Sequence, residues 1–121
     1  MFTGIITDVG PVISVDETRG DKRFTIQTSF NMSDIPMGAS IACSGCCLTV
    51  VEKGADYFSV DVSAESLSKT NLGTWQKGTR INLEQSLKMG DELGGHMVSG
   101  HVDGLAKLQK IQKEGDSHRL V

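Results

Sequence analysis

The feature that most constrains this chain is a run of short alternating segments, each ended by a glycine-bearing or polar turn. Arg23-Phe24-Thr25-Ile26-Gln27-Thr28 and Tyr57-Phe58-Ser59-Val60-Asp61-Val62 alternate polar and apolar residues, the period-two signature of half-buried strands. Residues 3–7, 12–15, 38–43, 46–52 and 79–84 add further β-prone stretches. Gly10-Pro11 is expected to break the first of these from the second. Glu17-Thr18-Arg19-Gly20-Asp21 and Lys53-Gly54-Ala55-Asp56 read as turns, because Gly and Asp tolerate left-handed backbone. Ser44-Gly45 bends two strands against each other, and residues 31–37 form a loop or one helical turn. The spacing breaks once, over residues 63–73. Ser63 is placed as an N-cap there, Glu65 suits the positive end and Gly73 marks the stop. About six short strands with one or two short helices predict an all-β, six-stranded antiparallel barrel.

Length and composition narrow the class. The 121 residues suit an ordinary domain, and 38% hydrophobic with 22% charged residues excludes a disordered chain. A net charge of −3 without a basic patch argues against nucleic acid. No apolar run approaches a membrane span. The start, Met1-Phe2-Thr3-Gly4-Ile5-Ile6, lacks the basic and apolar regions of a signal peptide. Three cysteines, two of them adjacent, make no disulfide framework. Reduced thiols in the cytoplasm are expected.

The chain also begins to repeat itself. Offset by 96 positions, Thr3-Gly4-Ile5-Ile6 falls on Ser99-Gly100-His101-Val102. Val9, Val12, Val15, Arg23 and Phe24 fall on Leu105, Leu108, Ile111, Arg119 and Leu120 without a gap. A small-Gly start with the same apolar spacing indicates an internal repeat. Residues 1–96 are read as one unit and residues 97–121 as the start of a second. Those few strands cannot close a barrel of their own.

Three stretches carry chemistry. In Ser44-Gly45-Cys46-Cys47-Leu48-Thr49-Val50-Val51, strand parity sends the two thiols to opposite faces and puts Cys47 with Thr49. Taken alone, the pair reads first as core filling, since a buried free thiol behaves as a small hydrophobe. Cys43-x-x-Cys46-Cys47 lacks the compact second pair of a four-ligand zinc site, and its strand context lacks the helix dipole of a redox motif. No metal is expected. Asp61-Val62-Ser63-Ala64-Glu65-Ser66 joins a strand end to a helix start, where N–H groups can meet a polar ligand edge or simply be capped. Gly94-Gly95-His96-Met97-Val98-Ser99-Gly100-His101 reads either as a hinge or as a proton-relaying segment.

Taken together, these blocks resemble riboflavin synthase, the family with two lumazine-binding barrels per chain. The resemblance is carried by Met1-Phe2-Thr3-Gly4-Ile5-Ile6, Gly38-Ala39-Ser40, Gly45-Cys46-Cys47-Leu48-Thr49-Val50, Glu65-Ser66-Leu67, Thr70-Asn71-Leu72-Gly73, Asn82-Leu83-Glu84, Gly94-Gly95-His96 and Ser99-Gly100-His101-Val102. It implies a Greek-key barrel that binds one 6,7-dimethyl-8-ribityllumazine. It implies a transferase that dismutates two such molecules to riboflavin and 5-amino-6-ribitylaminouracil without metal or redox cofactor. A homotrimer is expected for the full-length family, with a dimer as one option for a shorter form. Within the resemblance, Gly4, Ile5, Ile6, Cys47, Leu48 and Thr49 line the ligand. Asp61, Val62, Ser63, Ala64, Glu65 and Ser66 hold its pyrimidinedione edge and ribityl chain. Gly100, His101 and Val102 begin the matching second site. Ser40 and Cys47 transfer protons or activate a nucleophile, with Phe2 and His101 nearby. A non-catalytic lumazine or flavin carrier is the alternative.

Overall fold

The computed structural model describes residues 1–121. Strands β1 (Asp8–Thr18), β2 (Asp21–Gln27), β3 (Ser40–Cys43), β4 (Cys46–Lys53), β5 (Tyr57–Val62) and β6 (Arg80–Gln85) close into one antiparallel barrel, in the order β1-β2-β5-β4-β3-β6. From β2 the chain crosses to β3, enters the meander β3-β4-β5 from its far end, and returns as β6. This is the Greek-key route.

Strand β1 closes the barrel because it serves two partners. Asp8 to Pro11 pair with β6, and Val12 onward pairs with β2, with an irregularity between Val12 and Ser14. The expected break at Gly10-Pro11 is therefore corrected: the strand runs through. Pro11 has no N–H to lose, and Val12 N–H donates to Thr79 O at 2.8 Å. A Cβ on Gly10 would sit 1.7 Å from Gln27 O, so only glycine lets β1 turn this corner. Residues 3–7 are corrected too. They are not a strand but an arm laid over the barrel, preceded by a single β-bridge between Phe2 and Val98.

The barrel interior is solid. Phe24, Ile26, Ile41, Leu48, Val50, Phe58, Val60, Ile81 and Leu83 fill it, while Met32, Ile35, Leu72 and Trp75 join the same cluster from the connections. Trp75 meets Phe24 edge-on, with ring centroids 5.2 Å apart, a favoured aromatic geometry. Helix α1 (Ala64–Lys69) begins at the expected cap, with Ser63 Oγ accepting from Ser66 N–H. It ends earlier than expected. Thr70 adopts extended backbone, and its hydroxyl caps Leu72 N–H to start a 3-10 turn over Asn71–Thr74. Gly73 lies inside that turn rather than at a helix stop. The break at Thr70 goes with burial of Leu72 against the core.

Beyond the barrel lies a separate hairpin, β7 (Ile111–Glu114) and β8 (Ser117–Leu120), exposed throughout. It pairs Ile111 with Leu120, Gln112 with Arg119, Lys113 with His118 and Glu114 with Ser117. The β1–β2 hairpin pairs Val15 with Phe24, Asp16 with Arg23, Glu17 with Lys22 and Thr18 with Asp21. The two registers coincide at the 96-residue offset. Phe2 and Val98 correspond at the same offset, and they exchange two backbone hydrogen bonds of 2.8 and 3.0 Å.

Candidate ligand site

Strands β3 and β4 form a tight hairpin whose two loop residues, Ser44 (φ 48°) and Gly45 (φ 84°), are both left-handed, as the favoured two-residue hairpin turn requires. That turn sets the parity of β4. Cys46, Leu48 and Val50 pack toward the core. Cys47 and Thr49 therefore face outward, and any pocket they line lies on the outer surface of the barrel, since the lumen is full.

The pairing register collects polar residues from separate strands on that outer face. Ser40 lies directly opposite Thr49, and Asp61 opposite Arg23. The β4–β5 ladder runs from Lys53–Phe58 to Val50–Val60. Extending its register by one step sets Thr49 opposite Asp61. Ser40, Thr49, Asp61 and Arg23 thus make one row across β3, β4, β5 and β2, and paired residues share a face. A second row runs beside it: Cys47 opposite Ala42, and Ala42 opposite Glu84. Cys47 is the diagonal neighbour of Ser40, within reach of long side chains or a bound ligand.

The arm and a crossing segment cover part of this second row. Glu84 is buried, and its carboxylate accepts from Thr3 N–H (2.6 Å), Thr3 Oγ1 (2.7 Å) and Gly4 N–H (3.1 Å). Thr3 O accepts from His96 N–H at 2.9 Å. Gly100 O accepts from Cys47 N–H at 2.8 Å. A Cβ on Gly100 would lie 2.7 Å from Cys47 Cβ and 3.0 Å from the Phe2 ring, so the crossing backbone rests directly on the thiol residue. Gly4 and Gly100, 96 positions apart, both have left-handed φ, 83° and 79°. Thr3 Oγ1 accepts from Ile5 N–H as Ser99 Oγ accepts from His101 N–H, each at 3.1 Å.

At the other edge of the face, β5 ends and α1 begins. The N–H groups of its first turn are largely taken: Ala64 donates to Asp21 Oδ1, Ser66 to Ser63 Oγ and Leu67 to Ser63 O. Capping thus accounts for most of the free donors that this stretch offers in sequence. Asp61 is held by Arg23 through a two-pronged contact, Nε to Oδ1 at 2.7 Å and Nη2 to Oδ2 at 3.0 Å. Hydrogen bonding by Arg23 holds the Asp61 carboxyl below the usual carboxylate range. Burial pushes the Cys43 thiol far up and raises that of Cys46, with a further contribution from neighbouring thiols.

The structure brings Ser40, Cys47, Thr49 and Asp61 onto one face, and it links Cys47 to Gly100 of the crossing segment. Ile5, Ile6, His101 and Val102 are exposed along the arm and the crossing segment, while Ser63, Ala64, Glu65 and Ser66 are exposed at the start of α1. Leu48 and Val62 point into the core, so their contribution to a ligand is through the backbone. Phe2 is completely buried and packs beneath Gly100; having no exchangeable proton, its ring acts by packing. Glu84 and Arg23 stand in the two rows but are not among the residues expected from sequence. Asn82-Leu83-Glu84 stood out in the sequence without a role, and Arg23 read as a polar strand position that falls on Arg119 at the 96-residue offset.

A family model described as "Lumazine binding domain" matches residues 3–86. The chain belongs to the lumazine-binding domain family. Among curated relatives of this chain, a riboflavin synthase of Brucella abortus is 50% identical over 99% of the chain and 62% of its own length. Riboflavin synthase of Escherichia coli is 39% identical over 99% of the chain and 57% of its own length. The chain therefore spans little more than half the length of these relatives. Among solved structures, LumP complexed with riboflavin superposes with a TM-score of 0.82 at 25% identity, covering 99% of this chain and 65% of that one. LumP complexed with 6,7-dimethyl-8-(1'-D-ribityl) lumazine gives the same TM-score and identity, covering 67% of that chain.

Proposed function

We propose that this lumazine-binding barrel is the N-terminal part of a riboflavin synthase, a transferase that dismutates two molecules of 6,7-dimethyl-8-ribityllumazine to riboflavin and 5-amino-6-ribitylaminouracil. The observation that carries the reading is the outer-face patch of Ser40, Cys47, Thr49 and Asp61, in a chain half identical to a riboflavin synthase over nearly its whole length. In this reading the ring lies against Cys47 and Thr49, with backbone groups of residues 4–6, 48 and 62–66 around it. Asp61 and Ser63 meet the ribityl hydroxyls. The acidic C7 methyl of the lumazine supplies the carbanion, so the protein moves protons and orients two rings without metal or redox cofactor. Ser40 and Cys47 are the proton-transferring or nucleophile-activating groups; each must come within hydrogen-bond reach of the substrate. His101, the nearby residue of this reading, follows Gly100, whose carbonyl accepts from Cys47 N–H.

Two substrates must face each other, so turnover needs a second barrel. The matching registers of β1–β2 and β7–β8, and the Phe2–Val98 pair at their symmetry point, support residues 97–121 as the start of a second barrel after residues 1–96. The expected assembly is a homotrimer for the full-length form, with a dimer as one option for a shorter one. The three free thiols suit the cytoplasm, and no helix is long and apolar enough to cross a membrane. A second reading, a lumazine or flavin carrier, is favoured by the likeness to LumP. Incubation of the chain with the lumazine, followed by the absorbance and fluorescence of riboflavin, separates the two. Riboflavin formation establishes the enzyme. Tight binding without product, also in a chain extended through a second barrel, establishes the carrier. Absence of lumazine binding refutes both.

A further inference from the structure

We infer that Arg23 is a positioning residue that makes the site selective for a polyhydroxylated ligand chain, by clamping the Asp61 carboxylate. The inference rests on the lumazine-binding reading and extends it to a residue outside the expected site. Arg23 sits on β2, one strand beyond Asp61 in the outward row. Both carboxylate oxygens are engaged, at 2.7 and 3.0 Å, which fixes the plane of the group as well as its place. Two further strands bring carboxylates to the same side of the sheet as the guanidinium. Glu52 of β4 lies 3.6 Å from Nη1, and Asp16 of β1 is opposite Arg23 in the ladder. One cation thus faces three carboxylates from three strands, and only Asp61 borders the Ser40–Thr49 patch. Arg19, Asp21 and Lys22 line the same open cleft beside Asp61, Val62 and Ser63.

The chemistry follows from lone pairs. An ionised carboxylate has about four acceptor positions. Arg23 uses two of them, leaving two in a fixed plane at the edge of the patch. Those suit adjacent hydroxyls of a polyol chain, which donate, and do not suit an alkyl substituent. A carboxylate held before the ligand arrives loses less conformational freedom on binding. A neutral side chain at position 23 would leave Asp61 free to rotate and easier to protonate.

The test compares two ligands, 6,7-dimethyl-8-ribityllumazine and the hydroxyl-free 6,7,8-trimethyllumazine, in the unsubstituted chain, Arg23→Gln and Arg23→Lys, by fluorescence titration. Arg23→Gln should weaken the ribityl ligand about tenfold, the scale of one lost charge-assisted hydrogen bond. It should leave the trimethyl ligand within about twofold, since that ligand has no hydroxyl to place. Arg23→Lys, with charge but no fork, should fall between. Affinity for the ribityl ligand should also fail at higher pH in Arg23→Gln as pH is lowered, because Asp61 then protonates sooner. NMR titration of the Asp61 carboxyl, with no ligand present, should show the same upward shift. Equal loss for both ligands, no loss for either, or an unmoved Asp61 titration overturns the inference. If the unsubstituted chain binds neither lumazine, the functional reading fails, and the assignment of Arg23 to a ligand falls with it.

Discussion

Removing the Glu84 carboxylate tests how the arm that carries Gly4, Ile5 and Ile6 is held. Glu84 accepts three hydrogen bonds, of 2.6, 2.7 and 3.1 Å, from Thr3 and Gly4. Hydrogen bonds to a charged acceptor contribute about 1.5–3 kcal/mol when buried and less where water competes. The arm also buries Phe2 completely, worth about 1.5–3 kcal/mol for a side chain of its size. In Glu84→Ala the arm can swing into water and rehydrate its donors, so the losses do not add in full. The expected destabilisation is about 2–3 kcal/mol. Glu84→Gln keeps one oxygen for the two Thr3 donors but turns an amide NH2 toward Gly4 N–H. About half that loss is expected. Urea unfolding followed by Trp75 fluorescence reads it. With a slope of about 1–3 kcal/mol/M, the midpoint should fall by about 1 M for the alanine variant. Amide exchange at Thr3 and Gly4 should accelerate in both variants. Stability within about 0.3 kcal/mol of the parent, with Thr3 and Gly4 exchange unchanged, would show that Glu84 does not hold the arm.

Other positions give sharp outcomes. Gly10→Ala drives a methyl into the Gln27 carbonyl at 1.7 Å; a backbone atom cannot rotate away, so a loss above about 3 kcal/mol is expected in urea unfolding. Gly38→Ala, with left-handed φ but open space around it, is the control and should cost about 1 kcal/mol. Gly100→Ala should weaken lumazine binding, because the new methyl meets Cys47 Cβ at 2.7 Å and displaces the segment on which that residue rests; unchanged affinity by titration would separate Cys47 from the ligand. Iodoacetamide should spare Cys43 in the folded chain and label it in urea, since Cys43 is buried and its thiol is pushed far up; mass spectrometry of peptides checks it. Asp8 is lowered net: partial burial opposes the shift, and hydrogen bonds from Thr28 and Ser29 outweigh it. Its contribution to stability is present above its unfolded value and lost as pH falls through the lower folded one. Asp8→Asn should therefore flatten the acid limb of a stability-versus-pH curve between those values.

Much was legible in the chain because it rests on local rules. Alternation in residues 23–28 and 57–62 placed β2 and β5, Ser44-Gly45 placed the hairpin, and parity separated Cys46 from Cys47. Each depends on a few neighbouring residues and the period of a strand. Gly10-Pro11 misled because its role is not local: glycine is needed there by the Gln27 carbonyl of another strand, while proline sits where β1 changes partner. Thr70 misled for a similar reason, since its break goes with the burial of Leu72 in a core assembled from the whole chain. Sequence parity could pair Cys47 with Thr49, but it could not say whether their face was lumen or surface. Closure decided that, by filling the interior with Leu48, Val50 and residues from the other strands. Register then decided what stands beside them. Ser40, Asp61 and Arg23 meet that face only because strands far apart in the chain are hydrogen-bonded side by side, and Glu84 gains a role only when the arm folds back across it.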